Sequence, residues 1–143
     1  MTGSERTEPE RYTGYLIRRA QQRHVAAWAR LVSTETSSVQ FAVMAVLERR
    51  GECSQQQLCE AVDLDRSTIA DLVARMERRG LLTRRRADED RRRNVTVLTP
   101  AGREELARLR PGVEAVEREL TGGLEPAERD ALRAALRRLL GGS

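Results

Sequence analysis

The sequence predicts a mainly α-helical chain carrying one small two-stranded β flap. Three observations predict it. Most of the chain repeats its apolar residues at intervals of three and four, the helical period. Two short extended runs, Leu81 to Arg86 and Arg93 to Leu98, flank a tip rich in arginine and acid. The two helices before the flap are short and joined only by Asp63-Leu64-Asp65. Helix, turn, helix and flap is the order of a winged helix-turn-helix.

Taken in order, residues 1–9 are polar and read as a frayed tail. Glu10 to about Val32 predicts a long helix with an apolar face of Ile17, Ala20, His24, Ala27, Trp28 and Leu31. Ser33 to Ser38 breaks it and offers several caps. Val39 to Arg50 predicts a buried helix stopped by Gly51. Ser54 to Val62 opens with a capping box, Ser54-x-x-Gln57. Arg66 to Arg79 follows, capped by Asp65 and ended by Gly80. After the flap, Thr99-Pro100 is a helix start. Leu106, Leu109, Val113, Val116 and Leu120 continue as one apolar seam, and Pro111-Gly112 should kink it. Gly122-Gly123 ends that helix, and Pro126 opens a last one with Ala131, Leu132, Ala135, Leu136, Leu139 and Leu140 apolar.

The helix from Arg66 predicts the partner. Ile69, Leu72, Val73 and Met76 form its inward stripe, while Arg66, Ser67, Thr68, Asp71, Arg75 and Arg78 face away. Small hydroxyls can approach base edges, and arginine can bond guanine or phosphate bidentately. The net charge is +4, and every basic side chain is an arginine. Residues 75–93 hold nine arginines against four acids, while the rest of the chain is near neutral. A basic patch on a neutral body is the footprint of a polyanion. The terminal helices carry more apolar surface than a small reading head needs to cover, which predicts a homodimer. Two heads about 34–36 Å apart would meet successive major grooves of a pseudo-palindromic operator. One domain is expected over 1–143, with a DNA-binding lobe at 39–99 and dimerisation helices at 10–32 and 100–140.

These residues resemble the MarR transcriptional regulators over about 12–140. The resemblance rests on Leu64-Asp-Arg-Ser-Thr-Ile69, on Leu72-Val-x-Arg-Met-Glu-Arg-Arg-Gly-Leu-Leu82, on Asp90-Arg-Arg92 and on Leu98-Thr-Pro-Ala-Gly102. It implies an obligate homodimer that represses nearby genes, its recognition helix in the major groove and its wing in the minor groove. Asp90 and Arg92 match the pair in which the acid orients the arginine for insertion. Ala87 stands where an earlier wing acid is common, and Asp88 comes one place later. The expected DNA contacts are Ser54, Arg66, Ser67, Thr68, Arg75, Arg84, Asp90, Arg91 and Arg92.

A narrower likeness, Gly14-Tyr-Leu-Ile-Arg-Arg-Ala-Gln-Gln-Arg-His24, resembles the branch that responds to aromatic carboxylic acids such as protocatechuate. It implies that Arg18 clamps the carboxylate and that His24 bonds a ring hydroxyl or the acid. Tyr15 and Trp28 complete the expected ligand set. Stacking, a hydrogen bond and a charge partner are what such a molecule needs. Arg18 is over 100° from His24 on an ideal wheel, so it would join the same pocket near the dimer seam, from the other chain. Cys53 and Cys59 keep open a regulator controlled by thiol oxidation, and constitutive binding is a further alternative. A dimeric adaptor for acidic proteins is the reading without DNA. No catalytic motif is present, and no enzyme activity, cofactor or metal is expected. No apolar run approaches a membrane span and no secretory leader is evident, so a cytoplasmic location is expected.

Overall fold

Side-chain caps set where most of the helices begin. The computed structural model describes residues 7–87 and 94–142. A 3₁₀ turn, Glu8–Arg11, precedes α1 (Thr13–Leu31), α2 (Ser38–Arg50), α3 (Gln55–Val62) and α4 (Arg66–Arg78). Then come β1 (Leu82–Arg86), β2 (Asn94–Leu98), α5 (Pro100–Thr121) and α6 (Pro126–Leu139). Ser54 Oγ accepts from the Gln57 N–H at 3.1 Å, and Gln57 Oε1 accepts from the Ser54 N–H at 2.9 Å. Ser37 and Gln40 make the same reciprocal pair ahead of α2. Thr99 Oγ1 accepts from the Gly102 N–H at 3.0 Å and donates to the Gly80 carbonyl at 2.6 Å. At the end of α4, Gly80 has φ 76°, and the Leu81 N–H donates to the Met76 carbonyl at 3.0 Å. That closure needs the left-handed region, which glycine enters without strain.

One expectation for the elements is corrected. The long first helix does not start at Glu10, because Tyr12 is extended between the 3₁₀ turn and α1. The helix α5 runs on through Pro111, where the proline ring removes one backbone donor.

Packing divides the chain into two compact units. One is Ser33–Pro111; the other joins the chain up to Val32 with the chain from Gly112 onward. In the first, α2 buries Val43, Met44 and Leu47, α3 buries Leu58, and α4 buries Ile69, Val73 and Met76. Leu81, Leu82, Val95, Leu98, Leu106 and Leu109 complete this core. The strands pair antiparallel, with Leu82 opposite Leu98 and Arg84 opposite Thr96. Cys53 adds a bridge to β2, exchanging two backbone hydrogen bonds with Thr96. A Cβ on Gly102 would overlap the Leu81 carbonyl, so the start of α5 sits tight against the turn after α4.

In the second unit, Ala27, Trp28, Val116 and Thr121 are buried. Arg30 Nη2 meets Glu119 Oε2 at 2.5 Å, and Arg133 pairs with Glu117. A large apolar surface is left uncovered: Leu16, Ile17 and Val25 on α1, Leu132, Leu136 and Leu139 on α6, and Leu140 just beyond it. Among the described residues no helix is long and apolar enough to cross a membrane.

Candidate nucleic-acid interface and ligand hollow

The outer face of α4 is built by its inner one. Burial of Ile69, Val73 and Met76 turns Ser67, Thr68, Asp71, Arg75 and Arg78 outward, and all five are exposed. Asp65 holds the first turn, its carboxylate accepting from the Thr68 N–H at 2.7 Å and the Ser67 hydroxyl at 2.9 Å. The Thr68 amide is the main cause holding the Asp65 carboxyl below its ordinary value, with the side-chain hydroxyls of Thr68 and Ser67 adding to it.

The expected DNA residues have these places. Ser54 is the cap of α3 and is half-buried. Arg66 Nη2 donates to Gln56 Oε1 at 3.1 Å, tying the start of α4 to α3. Arg75 Nε lies 3.2 Å from Asp71, and Arg84 Nε lies 3.2 Å from Glu77. Asp90, Arg91 and Arg92 lie outside the described residues. Four further arginines have these places. Arg79 donates to the Thr36 hydroxyl at 3.0 Å and to the Glu35 carbonyl at 3.4 Å, so this member of the basic window fastens the end of α4. Arg85 pairs with Glu52 at 2.5 Å. Arg78 and Arg86 have no acid within ion-pair distance among the described residues, and both are exposed.

Within one chain Arg18 and His24 line different hollows, as their separation on the helical wheel predicts. A hollow of about 690 Å³ lies between α1, the end of α5 and α6. Its walls are aliphatic except for Thr13, Gln21, His24 and Thr121. Arg18 instead lines a shallower depression with Gly14, Gln22 and Val25, and only Ile17 and Gln21 border both. Tyr15 is taken up by the arginines beside it: Arg18 stacks 5.3 Å from its ring centroid, and Arg19 donates to its hydroxyl at 3.1 Å. Trp28 is 7% exposed and backs His24, with ring centroids 5.9 Å apart at 52°. The separation follows from helical geometry, since six residues turn Arg18 well away from His24.

Both cysteines are free and buried. Burial pushes the Cys53 thiol up, against the partial opposing effect of Arg50. A peroxide sensor needs the reverse, an exposed thiol of lowered pKa.

Residues 35–93 match the MarR family. The HTH-type transcriptional repressor NicR of Pseudomonas putida is 30% identical over 89% of this chain and 81% of its own length. The PcaV transcriptional regulator of Streptomyces coelicolor, solved with its natural ligand, is 34% identical; the match covers 95% of this chain and 96% of PcaV, with a TM-score of 0.89. BpsR of Bordetella bronchiseptica, whose DNA binding is regulated by 6-hydroxynicotinic acid, is 35% identical with a TM-score of 0.80, covering 88% and 96%. With a winged helix-turn-helix displaying an arginine-bearing helix, and with such relatives matched along nearly its whole length, the chain is a regulator rather than an enzyme. It belongs to the MarR family of DNA-binding transcriptional regulators.

Proposed function

We propose that this protein is a homodimeric repressor that leaves its operator when a small aromatic carboxylic acid binds. The observation that carries the DNA contact is the exposed face of α4, with Ser67, Thr68, Arg75 and Arg78 opposite the buried stripe. Arg66 and Arg84, the cap Ser54, and Asp90, Arg91 and Arg92 of the wing complete the proposed surface. A second copy fills the aliphatic hollow, because no cation lines it and a lone carboxylate would be stranded there. The acid then sits at the His24 end, with the ring on the half-buried imidazole. Its charge partner is Arg18 of the second copy, because within one chain Arg18 opens elsewhere. Trp28 holds the histidine plane, and Tyr15 steers the arginine. Regulation of BpsR by an aromatic acid supports the effector class. Release requires only that the acid prefer the free dimer over the DNA-bound one, and the size of that preference sets the response.

The test is a thermal-shift panel of benzoic and nicotinic acids, followed by DNA binding with each stabilising acid. Stabilisation by at least one acid, with weakened DNA binding, is expected. Arg18→Ala should keep DNA affinity and lose the acid response. If no acid in the panel changes either the melting temperature or the DNA affinity, the effector assignment falls.

A further inference from the structure

At about 100° per residue, Ser67, Asp71, Arg75 and Arg78 fall within roughly 80° of one another on α4. That arc lies opposite Ile69, Val73 and Met76, so Asp71 stands near the middle of the outward face. An acid at the centre of a face that meets phosphates is costly unless it finds a donor. In the free protein Asp71 is offset by an ion pair with Arg75, whose Nε lies 3.2 Å from Oδ2. Both side chains stay over 60% exposed. The closest approach is between Oδ2 and Nε, and the exposure of both side chains leaves Oδ1 and the terminal guanidinium nitrogens within reach of a base edge.

An acceptor beside two parallel donors is a pattern with a complement in the major groove. A cytosine–guanine pair offers the cytosine N4 donor next to the guanine O6 and N7 acceptors. An adenine–thymine pair has its acceptors, adenine N7 and thymine O4, on opposite sides of the adenine N6 donor, so only one lies on the arginine's side and one guanidinium donor would be left empty. We infer that Asp71 and Arg75 act as one unit that reads a C·G base pair, Asp71 accepting from cytosine N4 and Arg75 donating to guanine O6 and N7. Asp71 is then a specificity-determining residue, and its ion pair keeps the arginine fork in position before DNA arrives. The inference rests on the proposed contact of α4 with DNA.

Full-length wild type and Asp71→Ala are each used to select duplexes from a randomised pool, and affinities are then measured for the wild-type winner and its single-base variants. Wild type should select a C·G pair that Asp71→Ala no longer selects. Replacing that pair by T·A should cost wild type about fivefold to hundredfold, the usual range for one bidentate contact, and cost Asp71→Ala several-fold less, because its arginine has lost both the cytosine acceptor beside it and the brace that holds its fork. The inference is overturned if Asp71→Ala selects the same sequence as wild type. It is also overturned if the variant binds every duplex more tightly, which is simple repulsion, or if the lost position is not C·G. If wild type selects nothing at all, the DNA contact of α4 itself fails, a result distinct from these.

Discussion

Gly112 follows a proline and reads as half of a helix breaker, yet its work is to let two helices touch. A Cβ there would overlap the Leu31 carbonyl and come within 3.1 Å of the Val32 Cα, both backbone atoms that cannot turn aside. Gly112→Ala should therefore destabilise the fold by about 1–3 kcal/mol, the usual cost of overpacking. An unchanged denaturation midpoint would contradict this. Asp65 makes a different prediction. Its carboxyl is depressed in the folded chain, so its contribution is fully present above the ordinary value of 3.8 and is lost as pH falls through the lower folded value. Asp65→Asn should melt below wild type at neutral pH, and the gap should close as the pH drops below about 4. A gap of the same size at all pH values would show that the charge does not matter.

Among the elements, what was legible in the sequence is what acts over a few residues. The stripe of α4, its Asp65 cap, its Gly80 stop and the Thr99-Pro100 start of α5 all depend on neighbours within one or two turns. The break at Tyr12 was not legible, because nothing in the surrounding composition separates an extended residue from one more helical turn. The same limit hid the arginine pairings. Arg79 lies 43 residues from Thr36, and Arg85 lies 33 from Glu52, so a count of charge in the window overstated the arginines left to meet DNA. The surroundings of His24 were hidden for the same reason. Arg18 and His24 are close in sequence but diverge around α1, while the aliphatic wall facing His24 comes from α6, over a hundred residues later. Thr36 tests the long-range account. Its buried hydroxyl accepts from Arg79 and lies 3.5 Å from Glu105 Oε1. Thr36→Val should cost about 1–3 kcal/mol by removing a hydrogen bond from a charged group. A denaturant melt indistinguishable from wild type would remove Thr36 as the fastening of α4.

For the whole molecule, the uncovered leucines are the main evidence that one chain is not the working unit. Leu132, Leu136 and Leu139 stand 42%, 39% and 58% exposed beside Leu16 and Ile17 of α1. A soluble monomer rarely leaves such a contiguous apolar face open. In sedimentation equilibrium the protein should behave as twice its 16.1 kDa chain mass. Leu136→Glu should shift it toward one chain and weaken DNA binding with it. Two copies of α4 reading one duplex would leave their mark in the sequences that wild-type protein selects from a randomised pool. An inverted repeat is expected, with half-sites about one helical turn, 10–10.5 bp, apart or a multiple of it. Selection of a single unrepeated half-site, or no enrichment at all, would contradict it.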